Sequence, residues 1–233
     1  MFIHQGKERT LSHNKKIASV LSFVAGLVNV TGFISVQRLT TNVTGHFAFF
    51  VDEVFKLHFK ESLIYFLYIL FFFLGSFVSS LLIETLARKK ERFVYVIPAV
   101  IESIILLTVA FSGNQMLLDK ADVISCSLLF AMGLQNSLVT RISDAMVRTT
   151  HLTGLFTDLG IELSQLFFYK ENEDKTKLLS TIKLRGRIIF FFFMGGVTGG
   201  VFYSYLGINT LFIPATILII VLVLDILKNS NSN

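Results

Sequence analysis

Residues 17–37 contain no charged side chain. Wound as an α-helix, that run is about 31 Å long, enough to cross the ~30 Å hydrocarbon core of a bilayer. Five more apolar runs follow at 62–86, 93–111, 122–140, 188–206 and 209–227. Each is rich in Leu, Ile, Val and Phe and holds at most one or two acidic residues. No water reaches backbone N–H and C=O groups inside a bilayer, so such segments must satisfy them internally, which favours helices. Composition agrees. Of 233 residues, 53% are hydrophobic and only 16% are charged, against roughly a quarter charged in soluble domains. The chain is therefore expected to be an all-α, polytopic membrane protein whose first partner is the lipid bilayer.

The basic start followed by 17–37 has the outline of a signal peptide. The run is too long for a usual h-region and lacks a small-x-small site before polar sequence resumes, so it reads as an uncleaved first span. The net charge of +5 raises nucleic acid as a partner, but its placement argues against that. Lys7, Arg9, Lys15 and Lys16 precede the first span. Arg88, Lys89, Lys90 and Arg92 follow the second. Lys170, Lys175, Lys177, Lys183, Arg185 and Arg187 precede the fifth. This is the positive-inside pattern. Cys126 is the only cysteine, so neither a disulfide nor a thiolate metal site can form within one chain, and no cofactor is expected.

The same charges give a topology. Segment 1–16 is cytoplasmic and 17–37 exits. The cluster at 88–92 is cytoplasmic, so 62–86 must run inward and 38–61 must start and end outside. Span 93–111 runs out and 122–140 runs in. Segment 170–187 is cytoplasmic, so 141–169 starts and ends inside. Spans 188–206 and 209–227 form a closing hairpin, and the tail 228–233 is cytoplasmic.

The chain also repeats itself. Gly26-Leu27-Val28-Asn29 returns as Gly133-Leu134-Gln135-Asn136. Thr41-Asn42-Val43-Thr44-Gly45 returns as Thr150-His151-Leu152-Thr153-Gly154. Phe71-Phe72-Phe73-Leu74-Gly75 returns as Phe191-Phe192-Phe193-Met194-Gly195, and Ile97-Pro98-Ala99 as Ile213-Pro214-Ala215. The offsets are 107, 109, 120 and 116, in unbroken order. The halves are 17–114 and 115–227. Each holds three spans and one element that fails to span, and both such elements carry Thr-x-x-Thr-Gly. Three is odd, so the copies enter the membrane in opposite senses. The expected fold is six transmembrane helices plus two re-entrant or broken helices in two inverted repeats. Were 38–61 to cross, the halves would instead have four spans each and run parallel.

Polar residues within the apolar zone are the candidate site. Asn29 and Asn136, the latter preceded by Gln135, are either interhelical hydrogen bonders or linings of a central path, since an unpaired amide in hydrocarbon is costly. Thr44-Gly45 and Thr153-Gly154 mark the non-spanning elements. Thr can cap a helix and Gly permits close approach, so a half-helix starting there would aim its N–H groups into the membrane. The sequon at Asn42 is too deep for glycosylation. In the second element His151, Asp158, Glu162 and Gln165 fall on one helical face, with Arg148 before them and Thr150 beside them. That stripe either meets water and headgroups or lines a cavity where carboxylate and imidazole exchange protons or hold a cation. Glu53 is the repeat counterpart of Glu162. Glu102 lies mid-span with apolar Leu218 as counterpart, and a lone intramembrane carboxyl is a functional candidate. Gly195, Gly196, Gly199 and Gly200, matched by Gly75, Ser76, Ser79 and Ser80, allow close packing between the halves or, second, homodimerisation.

The stretches Ala25–Asn29, Thr44-Gly45, Met132–Asn136, Arg148–Gly154 and Thr157-Asp158-Leu159-Gly160 together resemble the bacterial YoaK family, also called DUF1275, over about 18–227. The resemblance implies a small multispanning bacterial inner-membrane protein without an assigned activity. Members usually carry Asp where this chain has Asn29 and Asn where it has His46. An acidic role therefore does not carry over to Asn29, and His46 is a candidate replacement or drift.

The leading functional expectation is a transporter or channel for a small solute or ion, with its path between the repeats. Six spans plus two re-entrant elements is an arrangement like that of aquaporin-type channels, although the chain has no Asn-Pro-Ala pair. The alternative is a non-transporting scaffold or assembly partner. No nucleotide loop, metal-ligand spacing or nucleophile signature is present, so an enzyme is not expected.

Overall fold

The computed structural model describes residues 11–89, 93–143, 145–168 and 172–230. Lys7, Arg9, Lys90, Arg92 and Lys170 lie outside the described residues. Those described form helices and no strand: α1 Leu11–Val36, α2 Val43–Phe55, α3 Phe59–Arg88, α4 Val96–Asp119, α5 Ala121–Ile142, α6 Leu152–Gln165, α7 Asn172–Leu206 and α8 Phe212–Ser230. A 3-10 turn, Gly207–Leu211, joins the last two. Four stretches are long and apolar enough to cross a membrane: Ser12–Val36, Phe59–Arg88, Ala121–Ile142 and Lys175–Lys228. The fourth contains both α7 and α8. Val96–Ser112 of α4 is apolar but shorter.

Burial sorts these helices. The apolar windows of α1 and α5 are 61% and 67% buried, against 22% for α3. The central pair is therefore α1 and α5, and α3 turns Phe66, Phe73, Phe77 and Leu81 outward. The most extensive contacts are α1 with α7 and α3 with α5, so each half is completed by a helix of the other. Glycine makes both crossings close. A Cβ on Gly26 would stand 2.0 Å from the Phe192 carbonyl oxygen, and one on Gly195 would stand 2.0 Å from that of Phe23. At the matching crossing, Gly133 faces the Phe72 carbonyl at 2.2 Å and Gly75 that of Phe130 at 2.1 Å. The two sets are related by the repeat offsets of 107 and 120. The glycine-rich stretch of α7 thus packs between the halves.

Residue pairs fix helix directions. Ser19, Phe23 and Leu27 of α1 meet Arg187, Gly195 and Gly199 of α7, so these helices run in the same sense. Asp122, Phe130 and Arg141 of α5 meet Tyr68, Gly75 and Glu84 of α3, again in the same sense. Between α1 and α5 the order reverses: Leu21 meets Gln135, and Gly32 meets Leu128. Repeat-equivalent helices therefore run oppositely.

At 13 and 14 residues, α2 and α6 are about 20 Å long, too short to cross ~30 Å of hydrocarbon. Each is entered by a chain reversal. Gln37, just past α1, has φ 52°, and Ala145, past α5, has φ 61°. Such left-handed residues commonly end helices and turn the chain back. After them the chain folds back along the helix it has left. Thr41 reaches Asn29 and Thr150 reaches Asn136, seven and six residues before the ends of α1 and α5, or about 10 Å. From these tips α2 packs on α3 and α6 on α7.

Basic residues sit at both ends: Arg38 follows α1 and Lys60 and Lys120 lie at the starts of α3 and α5 at one end, and a larger group occupies the other. Lys15, Lys183 and Arg187 line one surface hollow. Arg88 and Arg141 share Glu84 at the C-terminal ends of α3 and α5. Because α1 and α5 run oppositely, that is the same end.

Candidate functional site

The deepest points of the two folded-back elements share one chemistry. The Thr41 hydroxyl donates to Asn29 Oδ1 at 2.7 Å, and the Thr150 hydroxyl donates to Asn136 Oδ1 at 2.8 Å. The repeat-matched amides are thus the anchors of the tips. Beside the second, Gln135 is fully buried. Its Nε2 donates to the Leu21 carbonyl at 2.9 Å and to the Thr149 hydroxyl at 3.2 Å, while its Oε1 has no partner. One side chain thereby ties α5, α1 and the second tip together.

The caps differ from expectation. Thr44 and Thr153 lie inside the first turns of α2 and α6, and the cap positions are Asn42 and His151. Asn42 Oδ1 accepts the Gly45 N–H at 3.0 Å, which gives the sequon asparagine its structural purpose. His151 makes no side-chain cap bond. Its ring instead lies over the first turn of α6, where a Cβ on Gly154 would come within 2.3 Å of it. One N-terminus is closed by an amide, and the other is left to an imidazole.

That second N-terminus opens onto a cavity of about 380 Å³ lined by Arg148, His151, Gly154, Leu155, Asp158 and Arg185, among others. Asp158 and Glu162 of the polar stripe turn toward α7, while His151 is exposed. Arg185 of α7 binds Asp158 at 2.8 Å and Glu162 at 2.9 Å, while Phe156, Ile161 and Leu163 point outward. Arg185 had stood out in the sequence only as a topology charge. The structure makes it the clasp of α6.

The first element carries a different cluster. His46 is fully buried against Tyr65 and Tyr68, with ring centroids at 6.0 and 4.8 Å. Its Nε2 lies 2.5 Å from the Leu39 carbonyl oxygen, so Nε2 carries a proton, and Nδ1 has no partner. Tyr68 donates to Asp122, and Arg38 and Ser125 also approach its hydroxyl. Sequence reading missed Arg38, Tyr68 and Asp122, because they come from a loop and two separate helices with no local pattern. At the far end of α2, Lys56 is bonded to Asp52, which raises its pKa, and His58 meets Glu53 at 2.8 Å.

The two tips are not in contact. Gln135 touches Leu21, and Asn29 lies eight residues further along α1, about 12 Å away. Between them Val24, Ala25 and Val28 of α1 and Ala131 and Met132 of α5 are buried in the core. Glu102 stands apart from both tips on α4, fully buried. Among the described residues no cluster of three or more His, Cys, Asp or Glu could hold a metal ion.

Among the described residues an all-helical architecture with apolar, membrane-type helices defines the class of protein. The sequence pattern of the family described as protein of unknown function, DUF1275, matches residues 17–224, and the chain belongs to that family. No curated protein matches it, nor does any solved structure.

Proposed function

We propose that the protein is a transporter, or a channel-like protein, for a small solute or ion in the bacterial inner membrane, with both termini cytoplasmic. Six helices cross the membrane: α1, α3, α4, α5, α7 and α8. The hairpins containing α2 and α6 re-enter from opposite faces, and the two halves are inverted repeats with the path between them. The observation that carries this reading is the matched pair of tip contacts, Thr41 to Asn29 and Thr150 to Asn136, on helices that run oppositely. Inverted repeats with broken helices commonly place substrate sites at their interface. Thr44-Gly45 and Thr153-Gly154 form the first turns of the half-helices. Arg148, His151, Asp158 and Glu162 flank the inner mouth, and His46 sits at the outer one.

The packed core between the tips implies that passage needs the halves to move. The same packing favours a second reading, a non-transporting assembly partner. Flux of a panel of small metabolites and ions into proteoliposomes separates them. The account predicts uptake of at least one solute, lost in Asn136→Leu while the protein stays folded. No uptake across the panel by folded protein, or wild-type uptake in Asn136→Leu, contradicts it.

A further inference from the structure

Glu102 is a buried carboxyl on α4. It is 0% exposed, and neither carboxyl oxygen has a hydrogen-bond partner among the described residues. Phe111, nine residues further along α4, packs edge-to-face on Phe212 at the start of α8, with centroids 4.7 Å apart. Nine residues are about 13.5 Å of helix, nearly half of a ~30 Å core. If α4 crosses the bilayer, Glu102 sits near its midplane.

Among the described residues no cation bonds to it there. The elements packed on α4 are α5, α8, the 3-10 turn and, slightly, α3. Their titratable and charged groups are Asp122, Cys126 and Arg141 on α5, Asp225 and Lys228 on α8, and Lys60, Glu61, Tyr65, Tyr68, Glu84 and Arg88 on α3. Among the described residues none bonds to Glu102. A bare carboxylate in such a place is prohibitive, so the group must be neutral. A metal cation would need several oxygen ligands, and among the described residues no acidic cluster surrounds it. A proton alone satisfies the charge.

Nor does packing demand a carboxyl. Leu218, its counterpart in the other repeat, is equally buried, so the fold accepts an apolar side chain at that point of the architecture.

We infer that Glu102 is an occluded proton-binding site that couples proton movement to the rearrangement of the two halves. This rests on the transport reading. In the closed state the O–H bond is intact. When α4 and α8 part enough to admit water, that bond breaks, the proton leaves on water and the carboxylate keeps the electron pair. Reprotonation from the other side restores the acid, so one proton crosses with no change of oxidation state.

Infrared spectroscopy of the full chain in liposomes reads the site directly. A protonated-carboxyl C=O band is expected at neutral pH, lost in Glu102→Gln, retained in Asp225→Asn and shifted by D2O. Absence of the band, its persistence in Glu102→Gln, or a band that never shifts in D2O overturns the inference. Glu102→Leu, which copies the other repeat, is expected to unfold at the wild-type temperature or above. A clear fall in both Glu102→Leu and Glu102→Gln would make the carboxyl a structural group and overturn it. Flux separates the layers of the argument. Solute uptake that ignores a pH gradient and is unchanged in Glu102→Gln sinks the coupling and leaves transport standing. An exchanging band with no flux of any solute sinks the transport reading, and the coupling with it.

Discussion

At the scale of single residues, glycine positions carry the most structural information, and they differ in what they tolerate. Gly26, Gly75, Gly133 and Gly195 each face a carbonyl of a crossing helix. A methyl group there must push two backbones apart, and overpacking of this kind costs about 1–3 kcal/mol. Gly160 and Gly186 have open space around the Cβ position, and there alanine gains up to about 1 kcal/mol of helix propensity. Thermal unfolding in detergent should therefore fall for Gly26→Ala and Gly133→Ala and hold or rise for Gly160→Ala and Gly186→Ala. The tip contacts are also measurable. A double-mutant cycle on Asn29→Leu and Thr41→Val should give a coupling of about 0.6 kcal/mol and at most about 1.7 kcal/mol, the average and the maximum for side-chain hydrogen bonds in a membrane bundle, and Asn136→Leu with Thr150→Val should match it. Sequence comparison made these residues legible because both copies kept them. It misplaced the caps, since Asn and Thr are both competent cap residues and only backbone geometry shows that Asn42 and His151 hold the position.

At the scale of elements, α2 and α6 are both entered through a Thr-x-x-Thr-Gly motif but are held differently. Aromatic rings pack α2, with Phe49 5.3 Å from Tyr65 and Phe50 6.1 Å from Phe66. Charge holds α6 through Arg185, which is 26% exposed, as are 13% of Glu162 and 49% of Asp158. Glu162 is the better shielded, so it should matter more: pairs as exposed as Asp158 are worth at most about 1 kcal/mol. Limited proteolysis of the 143–172 region should accelerate most in Arg185→Met, less in Glu162→Gln and least in Asp158→Asn. Equal rates in all three would remove the clasp from the account. The polar stripe was legible from its spacing alone. Its partner was not, because Arg185 lies within a basic run whose spacing states only topology. The cluster around His46 was invisible for another reason: Tyr68 and Asp122 are 54 residues apart, and only the shared direction of α3 and α5 brings them together.

At the scale of the whole molecule, the two halves exchange helices, so neither forms its core alone. The expectation of an inverted order comes from counting charges against spans, a constraint imposed by the bilayer and not by any side-chain contact; the opposite directions of α1 and α5 are consistent with it. What counting could not give is depth. The tips stop about 12 Å apart along α1, with packed apolar side chains between them, and a sequence contains no signal for how far a hairpin penetrates. The central claim is that the two hairpins enter from opposite faces. Single cysteines in a Cys126→Ser background test it with an impermeant thiol reagent applied to each side of sealed vesicles. Gln37→Cys and His58→Cys should both label from the outer side, and Ala145→Cys and Phe168→Cys both from the cytoplasmic side. Labelling of residues 37 and 58 from opposite sides would show that α2 crosses, and would contradict the inverted, re-entrant architecture.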